Sequence, residues 1–199
     1  MQTNEIDYAQ RIEKIQTVWW KKILPVQLPY KLNLRSLKPG YCLDVGCGLG
    51  RNLAHLNGNG VGIDHNEYFV KTAKNKGYTV FTPDEFIKSD FAMSYSFDSL
   101  LFSHIIEHLD LEEAVEIINQ YIKYLKQDGK IIIITPQERG YNSDPSHKLF
   151  FDFSKLKMLL SKLDCSVLKE YSFPFPRNIG KLFIYNEFVV VGVQKRQLN

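Results

Sequence analysis

Four consecutive isoleucines, Ile131 to Ile134, stand between a turn signal at Asp128-Gly129 and the proline at Pro136. A strand with no polar side chain on either face has to be covered on both. A parallel sheet between two layers of helices meets that requirement, and the rest of the chain fits it. Strand-like runs at 41–45, 60–64, 78–81, 97–103 and 130–135 alternate with helical ones at 68–76 and 111–125. In the second helix Ala114, Ile117, Ile118, Tyr121 and Leu125 fall on one face. The last third departs from this alternation. A polar loop over 137–153 leads into a helix over 154–163, and two strand-like runs follow at 166–173 and 182–193. Their link, 174–180, is too short for a crossover helix, so the pair reads as an antiparallel hairpin. The expectation is an α/β, doubly wound, mostly parallel sheet closed by that hairpin, with helices on both faces.

Upstream, Ile12, Ile15, Trp19 and Ile23 recur at helical spacing over 5–24, and Pro25 and Pro29 end that helix. The stretch 26–37 reads as irregular. A chain of 199 residues is the size of one domain. It divides into an N-terminal helix with a lid-like segment (1–37), a core (38–136), and a loop, helix and hairpin (137–199).

Composition excludes several classes. With 44% hydrophobic and 24% charged residues the chain is neither disordered nor of low complexity. Three cysteines without a C-x-x-C argue against a disulfide scaffold or zinc ribbon and for a reducing compartment. The first residues lack the apolar core of a secretory peptide, and no apolar run approaches the ~20 residues that span a bilayer. A cytoplasmic protein without a membrane span is expected. Charge is uneven: residues 1–118 hold 12 Lys/Arg against 15 Asp/Glu, and residues 119–199 hold 13 against 7.

The segment Leu43-Asp44-Val45-Gly46-Cys47-Gly48-Leu49-Gly50 runs from a strand end into a helix start. Its glycines permit a tight turn and let a ligand approach the backbone. The spacing is G-x-G-x-G; the dinucleotide fingerprint needs a further glycine where Arg51 stands. Twenty residues after Asp44, Asp64 ends the second strand, where nucleotide-binding sheets place an acid for ribose hydroxyls.

At these residues the chain resembles the class I S-adenosylmethionine-dependent methyltransferases, in particular the small-molecule branch of ubiquinone and menaquinone methylation. The resemblance covers about residues 38–195 and implies a Rossmann-like fold and S-adenosylmethionine as cofactor. It places Asp44, Gly46, Cys47 and Gly48 under the methionine part and Asp64 with the following His65 at the ribose. Asp90 and Phe91 fall at the adenine, and Ser103 and His104 at the end of the fourth strand. Where the family has Pro-Gly-Gly, this chain has Gln127-Asp128-Gly129. The acidic Asp44 suits a cofactor bearing an ammonium and a sulfonium.

His104-Ile105-Ile106-Glu107-His108 also spells the H-x-x-E-H of inverted zinc peptidases. That chemistry needs both histidines on one face of a stable helix with a downstream acid. Here the motif follows directly on a buried strand, so no metal is assigned, and His108 and Glu107 read as turn anchors. Acceptor-side chemistry falls to the loop after strand five. His147, Tyr141 and His104 are its catalytic candidates, with Phe173 to Arg177 as an apolar wall. The expected reaction is methyl transfer by in-line displacement to a small-molecule, glycan or lipid-intermediate acceptor, with an anionic one first because of the basic C-terminal part. A silent cofactor-binding module is the alternative. A nucleic-acid methyltransferase is a third reading, disfavoured because Ser103-His104-Ile105-Ile106 stands where base methylators carry an Asn/Asp-Pro-Pro-aromatic motif.

Overall fold

The computed structural model describes residues 27–194; the helix expected over 5–24, with Trp19-Trp20, lies outside them. The chain divides into two compact units, one ending at Ala92 and the other beginning at Met93.

The first unit opens with helix α1 (Leu28–Ser36). This corrects the irregular stretch expected there. Pro29 sits in the first turn of α1, where a missing N–H is harmless and the fixed φ suits a helix. Strand β1 (Cys42–Val45) is buried along its whole length and leads through the glycine loop into a short helix, α2 (Arg51–His55). Strand β2 (Gly60–Ile63), helix α3 (Glu67–Asn75), strand β3 (Val80–Phe81) and helix α4 (Pro83–Ile87) follow. The three strands are parallel in the order β3-β2-β1, with Cys42 opposite Gly60.

That register explains one glycine. A Cβ on Gly60 would stand 2.3 Å from the Cys42 carbonyl oxygen. The neighbour is backbone and cannot rotate away. Gly60→Ala is therefore expected to destabilise the fold by about 1–3 kcal/mol, read as a lower urea midpoint at unchanged slope; an unchanged midpoint would contradict this packing.

Helix α3 buries Phe69, Val70 and Ala73 and is capped by Asn66, whose side-chain oxygen accepts the Tyr68 and Phe69 N–H groups at 3.0 and 3.2 Å. Helix α4 was not expected. It is built on a reciprocal capping box between Thr82 and Glu85 with Pro83 in the first turn.

In the second unit strand β4 (Phe97–Ser103) has the expected bounds. A 3-10 turn (Ile106–His108) and helix α5 (Leu111–Ile122) lead to strand β5 (Leu125–Pro136). The four isoleucines are buried in it. Strand β5 begins earlier than expected, because residues 126–129 bulge out between the partners of Phe97 and Ser99. Asp128, at φ 61°, makes the bend. The loop expected over 137–153 is shortened at both ends, by helix α6 (Glu138–Tyr141) and by helix α7 (Phe153–Lys162), the latter capped by Asp152.

Strands β6 (Cys165–Phe173) and β7 (Glu187–Gln194) form the antiparallel hairpin, with β7 between β5 and β6 in the order β4-β5-β7-β6. The hairpin's second strand starts at Glu187 and not at 182, because 177–181 form a 3-10 turn. Asn186 and Gln137 pin that link: the Asn186 Nδ2 donates to Gln137 Oε1 at 2.9 Å, and Gln137 Nε2 donates to the Glu187 carbonyl at 3.0 Å. Among the described residues, the three parallel strands of the first unit, and in the second unit the parallel pair β4-β5 with its antiparallel hairpin, interleaved with helices, are the architecture expected from the sequence. No helix among the described residues is long and apolar enough to cross a membrane.

Candidate functional site

In the first unit the carboxyl ends of β1 and β2 are stitched together by the glycine loop. Gly46 and Cys47 both donate their N–H to the Ile63 carbonyl, at 2.8 and 3.0 Å. Gly48 donates to Asp64 Oδ2 at 2.8 Å, and Asn66 donates its N–H to Asp64 Oδ1 at 2.9 Å. Gly46, Gly48 and Gly50 all have positive φ, which an L side chain adopts only with strain. Around a Cβ at Gly48 there is open space, so a ligand can reach the backbone there. His65 is exposed, with Nδ1 3.7 Å from Asp64 Oδ1.

Asp44 lies beneath this loop, fully buried. Its Oδ1 accepts from Asn52 Nδ2 at 3.2 Å, whereas Oδ2 is buried and no described residue donates to it. Burial pushes its pKa up to about 7, against the Asn52 hydrogen bond and the nearby Arg51 charge. Burial likewise holds the Cys47 thiol well above its usual range, so Cys47 is an apolar wall and no nucleophile.

The other residues of this unit expected on the cofactor side stand apart from that cluster. Asp90 is exposed in the turn after α4. Phe91 is partly exposed, with its ring 5.6 Å from that of Phe81 at the end of β3.

In the second unit Ser103 is buried at the end of β4, and His104 follows at φ 60°. A non-glycine residue held there costs on the order of 1–3 kcal/mol and persists only where its surroundings fix it. Here they do. His104 donates its N–H to the Ile134 carbonyl at 2.9 Å. Its ring lies between two carboxylates: Nε2 is 2.8 Å from Glu187 Oε1 and Nδ1 is 3.3 Å from Glu107 Oε1. Burial opposes the charge, but the two acids outweigh it and raise the pKa to about 9. His104 is thus an imidazolium with both nitrogens engaged. The H-x-x-E-H segment forms a turn and a 3-10 segment rather than a helix face, which removes the pairing of His104 with His108 that zinc peptidase chemistry needs.

His147 and Tyr141 are brought together. Their rings stack at 5.2 Å, and His147 Nδ1 is 2.7 Å from the Tyr141 carbonyl oxygen. The Glu107 carbonyl accepts the N–H groups of Lys148 and Leu149, at 2.8 and 3.3 Å, and so draws this loop against the 3-10 turn. The His108 and His147 rings meet edge to face at 4.8 Å. Asp144 accepts from the Ser146 N–H and hydroxyl, which hold its carboxyl below the usual range although burial opposes them. Of the expected apolar wall, Phe175 is exposed beside Phe183, and Arg177 is paired with Glu138 and lies 4.8 Å over the Phe188 ring.

Four residues that matter here were not singled out for these roles. Asn66 has a visible signal, a capping residue directly before an apolar helical pattern. Asn52 and Glu187 have none, since their partners are set by packing and register. Glu107 was expected only as a turn anchor; the structure buries its side chain beside both histidines.

Residues 43–133 match a methyltransferase domain family. Over 103 residues the chain is 30% identical to an uncharacterized methyltransferase of Alkaliphilus oremlandii (strain OhILAs), covering 50% of this chain and 47% of the relative. It thus spans about half the length of that curated relative. A S-adenosylmethionine-dependent methyltransferase from Archaeoglobus fulgidus superposes with a TM-score of 0.60 at 23% identity, covering 82% of this chain and 92% of that one. Magnesium protoporphyrin IX methyltransferase from Synechocystis PCC 6803, solved with bound S-adenosylhomocysteine, does so with 0.65 at 16%, covering 97% and 96%. The domain match and the shared fold bear out the resemblance to class I methyltransferases read from the sequence.

Proposed function

We propose that this chain, whose residues 43–133 match a methyltransferase domain family, transfers the methyl group of S-adenosylmethionine to a small-molecule acceptor. The observation that carries the reading is the buried Asp44 carboxylate with one oxygen lacking a donor. An unpaired buried anion is costly, and a ligand bearing an ammonium and a sulfonium answers it. The open space at Gly48 supports the same fit. On this reading Asp44, Gly46, Cys47 and Gly48 hold the methionine part, Asp64 with His65 the ribose, and Asp90 with Phe91 the adenine. When bound, the cofactor supplies an electrophilic methyl group for in-line displacement. The protein's share is binding, orientation and charge.

On the acceptor side we assign the base to His147. Its Nδ1 is held on the Tyr141 carbonyl, which leaves the lone pair at Nε2 to take a proton from a hydroxyl acceptor. Tyr141 positions that ring. His104, with both nitrogens engaged by carboxylates, serves as a fixed cation. The excess of basic residues over 119–199 favours an anionic acceptor.

His147→Ala is expected to lower kcat by about a hundredfold or more while cofactor affinity stays unchanged; loss of cofactor affinity would place His147 in a different subsite. The reaction itself is tested with methyl-labelled S-adenosylmethionine and a pool of small anionic metabolites. Label in an acceptor and an equal amount of S-adenosylhomocysteine are expected. Tight cofactor binding without either product would leave a binding module that does not turn over.

A further inference from the structure

We propose that Glu107, His108 and His147 form a binding site for one divalent transition-metal ion. One ligating atom from each of these side chains lies within 4.8 Å of the others. The ion takes the same His147 Nε2 lone pair that the acceptor-side assignment gives to a hydroxyl proton, so the two roles exclude each other at that atom; the test reads metal binding directly and does not depend on methyl transfer.

Two independent observations support it. Glu107 is 1% exposed, and its Oε2 is buried with no donor among the described residues. An ionised carboxylate oxygen left bare in the interior costs far more than a paired one. The other oxygen, Oε1, is already on His104. Glu107 therefore keeps one buried oxygen without a donor in the cluster where two imidazoles gather.

The second observation is how those imidazoles are held. His147 Nδ1 lies 2.7 Å from the Tyr141 carbonyl oxygen. His108 Nδ1 lies 3.3 Å from the Ser146 carbonyl oxygen and 3.2 Å from Ser146 Oγ. The Ser146 hydroxyl donates to Asp144 Oδ1 at 2.7 Å, so it accepts from His108. In both rings Nδ1 carries the proton and Nε2 carries the lone pair. Metal-ligating histidines are held in this way, one nitrogen donating to a carbonyl or carboxylate network and the other facing the ion. Asp144 and Ser146 are the supporting shell for His108, and the Tyr141 carbonyl is that for His147.

The donor set selects the ion. Two imidazoles and one carboxylate suit zinc, iron, cobalt or manganese, and magnesium and calcium are disfavoured because they prefer all-oxygen sites. Zinc–nitrogen bonds of about 2.0–2.1 Å put tetrahedral ligand atoms roughly 3.4 Å apart. The two half-buried rings reach that spacing by small side-chain adjustments. Three protein ligands leave a position for water or for an oxygen of a small molecule. The site shares Glu107 and His108 with the H-x-x-E-H segment but replaces His104, which its two carboxylates retain, with His147 from the following loop.

The test is titration of the full chain, stripped with chelator, with Co²⁺ at a pH where imidazoles are neutral. Visible absorption saturating at one ion per chain is expected, and Zn²⁺ should displace it. Glu107→Gln, which keeps the buried shape, and His147→Ala, at a half-buried loop position, should each weaken binding by more than the roughly 10–100-fold that losing a supporting residue costs. Far-ultraviolet dichroism confirms that each variant is folded. Absence of saturable Co²⁺ binding, or binding that both folded variants retain at full strength, would overturn the proposal.

Discussion

Asp64→Ala is expected to weaken S-adenosylmethionine binding by about tenfold to a hundredfold and to destabilise the ligand-free protein as well. The carboxylate joins two tasks. Its oxygens accept the Gly48 and Asn66 N–H groups at 2.8 and 2.9 Å, and so fix the glycine loop against the end of β2. On the proposed reading their remaining lone pairs take the ribose hydroxyls. A hydrogen bond to a charged group is worth about 1.5–3 kcal/mol, and each 1.4 kcal/mol is a factor of ten in affinity. Calorimetry measures the affinity and urea unfolding the stability. Lower stability with unchanged affinity would mean that Asp64 only braces the loop. Asp64→Asn separates the two tasks further, since the amide keeps one acceptor oxygen but loses the charge.

Asp44→Asn should have the opposite effect on the ligand-free protein. Burial raises the Asp44 pKa in the fold to about 7 from an ordinary 3.8. A folded-state value above the unfolded one means that the native state holds the proton more tightly. The stabilisation is complete below about 3.8, declines as pH rises, and is gone above about 7. The amide cannot ionise, so the variant should show a flatter stability profile across that window and be the more stable protein at alkaline pH. Its affinity for the cationic cofactor should fall by about tenfold to a hundredfold or more, because a buried charge pair is lost. An unchanged affinity would detach Asp44 from the cofactor. A parallel stability profile in both proteins would contradict the raised pKa.

Much of this was legible in the sequence because its physics is local. A run of four isoleucines allows only a strand covered on both faces, and three glycines between a strand and a helix require a turn with positive φ. The errors are also local, and each has a physical origin. The irregular stretch expected over 26–37 neglects that proline is tolerated in a first helical turn, and the Thr82-Pro83-Asp84-Glu85 capping signal starts a helix of only five residues, too short to show a period. The beginning of β7 was placed too early because the apolar residues Leu182, Phe183 and Ile184 mimic a strand.

The site was only half legible, and the reason is distance along the chain. Glu187 is 83 residues from His104. It reaches His104 because β7 pairs with β5 and sets Glu187 opposite Pro136. His147 meets His108 because the Glu107 carbonyl captures the two residues after it. Neither juxtaposition has a sequence signature, since register and loop docking decide both.

On the proposed reading Asp44 and the glycine loop hold a cationic methyl donor. Proton release on S-adenosylmethionine binding, measured by calorimetry in buffers of different ionisation enthalpy near the Asp44 pKa of about 7, is the decisive measurement. A cation bound against Asp44 favours the carboxylate, so wild-type binding should expel a fraction of a proton at or just below neutral pH. The release should vanish in Asp44→Asn. Binding without proton release, or no binding at all, would contradict the account.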